Sequence, residues 1–113
     1  MLTVELSVAP KQVGKDAQLD IRGAVRNNGS SPIDTRIWNS TLLVDGIPCE
    51  HWAWAIANGI RDEREFALPP GEQVVFRRLL PVTSVLLKPG HHDLVLVVRD
   101  VSSPRVTVVR RDE

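Results

Sequence analysis

From Leu2 the chain alternates: Leu2, Val4, Leu6 and Val8 oppose Thr3, Glu5 and Ser7. A period of two is the mark of a strand with one face toward a core and one toward solvent. After a turn at "VGKD" (13–16) the alternation returns in "AQLDIRGAV", where Ala17, Leu19, Ile21, Gly23 and Val25 oppose Gln18, Asp20 and Arg22. "NNGSSP" (27–32) is a dense turn signal, because Asn and Gly accept positive φ and Pro32 has no N–H for a ladder. "IDTRIWNSTLLV" reads as one long strand or two short ones, with its phase broken near Asn39-Ser40. "DG" (45–46) then predicts a hairpin. "LPPG" (68–71) and "LKPG" (87–90) each introduce a strand-like run, "EQVVFRRLL" and "HHDLVLVV", and "SSP" (102–104) leads into "RVTVV". Seven or eight short strands punctuated by Gly and Pro predict an all-β sandwich or small barrel filling residues 1–113 as one domain.

Three stretches carry a resemblance: "VRNNGSSPI", "ALPPGEQVVF" and "LKPGHHDLVLVV". Together they are similar to bacterial immunoglobulin-like sandwich domains, of the type of the CARDB adhesion-related modules and of the BsuPI intracellular proteinase-inhibitor family. The shared features are an N-x-G turn after the second strand, an L-x-PGE entry to a middle strand and a PG-x-aromatic-x-L entry to the penultimate strand. In the last motif His92 stands where the family commonly has tyrosine. The resemblance implies an immunoglobulin-like β-sandwich of about seven strands in two antiparallel sheets. Antibody-type domains are a poorer match, since one cysteine and no tyrosine leave neither the disulfide nor the tyrosine corner.

Charge narrows the partners. Fourteen Lys and Arg balance fourteen Asp and Glu, and the balance holds in both halves of the chain. With no basic patch by count, neither nucleic acid nor an anionic membrane surface is an implied partner. The longest apolar run, Leu94 to Val98, is strand-sized, so no membrane insertion is expected. No signal peptide is visible after Met1. A full-length chain is therefore expected in the cytoplasm, and a domain excised from a longer chain is expected to be exported.

Chemistry concentrates in "IPCEHWAWAI" (47–56), which holds Cys49, His51, Trp52 and Trp54. Cys49 and His51, with His91, His92 and Asp93, supply the ligand types of a zinc or copper site. Strand alternation works against such a site. It places adjacent His91 and His92 on opposite faces, and it puts His92 in phase with Leu94, Leu96 and Val98. His92 is thus expected to be a packed residue bonded to a loop carbonyl. Nucleophilic catalysis lacks its signatures, and Cys49 has Glu50 beside it rather than a cation. No enzyme, cofactor or metal is expected.

Read as a strand, "EHWAWAI" places Trp52, Trp54 and Ile56 on a core face, with Cys49 and His51 turned away. A rival reading brackets a short helix between Pro48 and "NG" (58–59), with Trp52 and Ile56 four apart. The extended reading is preferred. Whichever tryptophan escapes burial becomes an anchor for a partner. Trp52, Trp54, Asn58 and Arg61 are the candidate interaction surface. The expected function is a non-catalytic module that recognises a protein or glycan, or acts as a spacer. The first alternative is a proteinase inhibitor presenting residues 57–67 or "NNGSSP" as an extended loop. A metal- or small-ligand-carrying sandwich is the second.

Overall fold

The computed structural model describes residues 1–58 and 62–112. The long alternating runs form strands as expected: β1 (Leu2–Ala9), β3 (Gln18–Asn27), β6 (Gln73–Pro81), β7 (Gly90–Val98) and β9 (Val106–Arg110). Between them lie the short strands β2 (Gln12–Val13), β4 (Thr41–Val44), β5 (Ile47–Pro48) and β8 (Val101–Ser102). The strands are arranged in two sheets. One has the order β1-β3-β6 and the other β2-β9-β7-β4-β5, with β8 paired to β7. Neighbours run antiparallel except β2 and β9, which are parallel.

The turn chemistry performs as the residue types require. Asp45 and Gly46 both take positive φ, 53° and 82°, giving the type I′ hairpin that joins β4 to β5. In "LPPG" the Glu72 N–H donates to the Pro69 carbonyl across Pro70 and Gly71 (φ 79°), a type II turn. The "NNGSSP" turn is held from inside by Asn27. Its buried side-chain amide donates to the carbonyls of Ser31 and Leu68, both at 2.8 Å, and its oxygen accepts from the Gly29 N–H.

The inward faces of the two sheets meet in one core that includes Val4, Leu19, Ile21, Val25, Leu42, Leu94, Leu96 and Val108. Burial alternates along β3 and β7, as a sandwich demands. No buried side-chain nitrogen or oxygen among the described residues lacks a partner. Ser40, for instance, accepts from the Trp52 indole, and Ser103 accepts from the Leu96 N–H.

Two expectations are overturned. Of "IDTRIWNSTLLV" only Thr41–Val44 is strand, and Ile37–Asn39 form a 3-10 turn that buries Ile37. Residues 50–57 are helical: α1 (Glu50–Ala57) packs against β4 and β6 and spans the open side between the sheets. A strand would have forced two tryptophans onto one face. The helix buries Trp52 and Ile56 together, four residues apart, and leaves Trp54 outside. Ala53, Ala55 and Ala57 favour helix, and Glu50 sits in the first turn, where a negative charge complements the dipole. Cys49 is the residue before the helix, and it faces inward instead of outward. A shorter helix of a single turn, α2 (Val82–Val85), follows β6 directly. No helix of the described residues is long and apolar enough to cross a membrane.

Candidate functional site

The pairing of β4 with β7 sets Val44 opposite Leu94 and so brings two distant stretches together, residues 44–51 and 84–92. A cleft of about 700 Å³ opens between them. One wall is the β4–β5 hairpin, with Asp45, Ile47 and Pro48. The other is the segment from α2 onward, with Ser84, Leu87 and Lys88. The start of α1 contributes Cys49, Glu50 and His51, and His92 reaches in from β7. Its volume is that of a small-ligand or side-chain-binding site. Two large apolar side chains project at its rim, Ile47 at 68% exposure and Leu87 at 79%.

The reactive residues of the cleft are committed to the fold. The Cys49 thiol donates to the Ser84 carbonyl at 3.6 Å. His92 is buried and bonded at both ring nitrogens: Nδ1 lies 2.6 Å from Asp45 Oδ2 and Nε2 lies 2.7 Å from the Lys88 carbonyl. This is the packed histidine bonding a loop carbonyl that its phase in the strand predicts. Asp45 Oδ1 also accepts from the Asp93 N–H at 2.8 Å. That backbone bond, with the hydrogen bond and charge of His92 and the charge of Lys88, holds the Asp45 carboxyl below its ordinary range against the opposing effect of burial. His51 lies on the exposed face of α1, and His91 points away from the core. Among the described residues no three His, Cys, Asp or Glu side chains gather as a metal site.

The four candidate surface residues separate. Trp52 is 0% exposed, in contact with the Phe76 ring at a centroid distance of 6.3 Å, so it belongs to the core and to no surface. Trp54 is 74% exposed. Asn58, also exposed, donates through Nδ2 to the Trp54 carbonyl at 2.7 Å and closes the last helical turn. Arg61 lies outside the described residues. His51, Trp54 and Asn58 are spaced i, i+3, i+7, so they share one helix face, and His51 joins that face to the cleft. Ile47 and Leu87 escaped the sequence reading. Each is a large apolar residue beside a turn, "DG" and "LKPG", where burial is hardest to arrange, and that placement was the available signal.

The two stretches offered as inhibitory loops take folded forms. The "NNGSSP" turn is bound down by Asn27, and Glu63–Phe66 form a 3-10 turn capped by the Asp62 side chain, which accepts from the Arg64 N–H. Residues 59–61 of the second stretch lie outside the described residues.

No protein-family model and no curated protein matches the sequence. Solved structures do match. The CARDB domain of a Pyrococcus furiosus protein, solved in complex with di-metal ions, superposes with a TM-score of 0.66 at 16% identity, over 100% of this chain and 94% of that one. The fold is CARDB-like. The same sandwich occurs within a β-glucosidase from Erythrobacter marinus, with a TM-score of 0.65 and 14% identity over 98% of this chain. It occurs again within an alkylpurine DNA glycosylase from Pseudomonas fluorescens bound to DNA containing an abasic-site analogue (TM-score 0.64, 14% identity, 97% of this chain). This chain spans 15% of the glucosidase and 30% of the glycosylase. At these identities the likeness establishes the immunoglobulin-like fold.

Proposed function

We propose that this chain is a non-catalytic interaction module whose cleft receives apolar side chains of a protein partner. The observation that carries the reading is the pair Ile47 and Leu87, held in the open at the rim of a preformed cleft. Exposed apolar groups gathered around a concavity mark binding surfaces on soluble proteins. Trp54, one helical turn beyond His51, adds the aromatic anchor such surfaces favour. The commitment of Cys49 and His92 to carbonyl and carboxylate partners supports a site without covalent chemistry. The appearance of CARDB-like sandwiches as minor parts of larger enzymes supports an accessory role beside other domains.

A photo-crosslinking residue placed at Leu87 should capture a protein saturably, whereas one at Glu5, on the outward face of β1, should not. Ile47→Ser should weaken that capture about tenfold, the value of about 1.4 kcal/mol of lost apolar contact. Equal capture from both positions, or capture indifferent to Ile47→Ser, would remove this reading. Carbohydrate binding abolished by Trp54→Ala would replace the protein with a glycan.

A further inference from the structure

The two walls of the cleft are tied together by one side chain. His92 bonds Asp45 in the β4–β5 turn through Nδ1 and the Lys88 carbonyl in the opposite wall through Nε2. Both partners are acceptors. A carbonyl oxygen cannot donate, and Asp45, held below its ordinary range and receiving the Asp93 N–H, is a carboxylate. A neutral imidazole carries a single N–H and satisfies one acceptor only; the two acceptors at 2.6 and 2.7 Å are both satisfied only when both ring nitrogens carry a proton. The ring is buried against a half-exposed counter-ion, and no buried polar atom of the ring is left unmatched.

The neighbouring strand provides a control within the fold. From β9, the buried Arg110 donates through Nη1 to the Leu86 carbonyl at 2.7 Å and pairs with Asp112 at 2.9 Å. Two side chains on adjacent strands therefore hold the same wall at carbonyls two residues apart. Arg110 keeps its charge at any pH a protein survives, whereas histidine is the side chain that changes charge near neutrality.

We propose that His92 is a proton-operated latch for the cleft: with the proton it fastens the 86–88 wall to the β4–β5 hairpin, and without it that wall is released at Lys88 while Arg110 keeps it attached at Leu86. The proton that remains on the neutral ring stays on Nδ1, because a bond to a carboxylate is stronger than one to a neutral carbonyl. The Nε2 lone pair then faces the Lys88 carbonyl lone pairs, and the two repel. The other ionisable groups that face the cleft are Glu50 and His51 from α1, the Cys49 thiol and the Lys88 ammonium. Asp93, next in the chain, shares the Asp45 carboxylate through its N–H, and its own carboxylate is engaged by Thr107 and Arg105. The inference names the regulation of the cleft proposed above as a binding site, and it rests on that reading for its biological use alone.

Long-range ¹H–¹⁵N correlation of the histidine rings, followed from about pH 5 to about pH 9 with no partner present, tests it. In the fastened state His92 should show N–H signals at both ring nitrogens, one for each acceptor. As it loses its proton, the Leu87 and Lys88 amides should shift while the Leu86 amide stays. His92→Gln, which is permanently neutral, should abolish the pH-dependent shift at Leu87 and Lys88. A His92 ring in a single neutral tautomer at every pH of the series would overturn the latch. So would shifts at Leu87 and Lys88 that persist in His92→Gln. Because no ligand enters the measurement, failure of the binding reading leaves its outcome unchanged.

Discussion

A Cβ added at Gly23 would lie 2.4 Å from Cζ of Phe76 and 2.7 Å from Cδ2 of Leu96, closer than any carbon pair tolerates. The Phe76 ring covers Gly23 from the neighbouring strand and abuts Trp52, so the glycine is the space into which helix and sheet lock. Gly23→Ala should destabilise the protein by about 1–3 kcal/mol in urea unfolding, and Phe76→Leu in the same chain should return part of the loss. Additive losses would mean that the ring and the methyl never compete. At Asp45 the pH dependence has a definite sign. Its carboxyl lies below the ordinary aspartate value of about 3.9, so the stability it contributes is complete above that value and is lost as pH falls through the lowered one. Urea midpoints measured from about pH 6 to about pH 2 should fall less steeply in Asp45→Asn than in the parent chain. An identical slope would show that Asp45 has the same affinity for protons folded and unfolded.

Among the elements, α1 demonstrates how far a pattern can be read. In "WAWAI" the residues between the apolar ones are alanines, which are neither polar enough to confirm a period of two nor large enough to exclude one of 3.6. Burial decides: Trp52→Ala should cost about 3–5 kcal/mol, whereas Trp54→Ala should stay within about 0.5 kcal/mol, both from denaturant unfolding. Comparable losses would return the segment to a strand with both tryptophans inside. The long strands β1, β3 and β7 were legible because eight to ten residues repeat a period several times. The two-residue strands β2, β5 and β8 contain no period to read, and only pairing defines them. Turns were legible through residue type, and Gly71 tests one. At φ 79° with open space around it, Gly71→Ala adds only backbone strain and should cost about 1–2 kcal/mol in the same assay. The cleft was hidden from the sequence for the same reason as the short strands. Its walls, near residues 47 and 87, are joined by a pairing that no local pattern encodes.

The whole molecule is an elongated sandwich, 50 × 25 × 20 Å, in which Trp52 shares one core with both sheets. Loss of the helix and loss of the sheets should therefore coincide. Tryptophan fluorescence and far-ultraviolet circular dichroism should give superimposable denaturation curves, and separate midpoints would show that α1 folds apart from the sandwich. The parallel pair of β2 and β9 has a mechanical consequence. It joins the first strand of its sheet along the chain to the last, through the Val109 N–H on the Lys11 carbonyl and the Arg111 N–H on the Val13 carbonyl. Tension applied between the two ends of the chain pulls these parallel strands along their axes in opposite directions. The bonds are then loaded together, in shear, and must break at once instead of opening one after another like a zip. Because Arg110 lies in that seam and also holds the Leu86 carbonyl, load on β9 reaches the wall of the cleft.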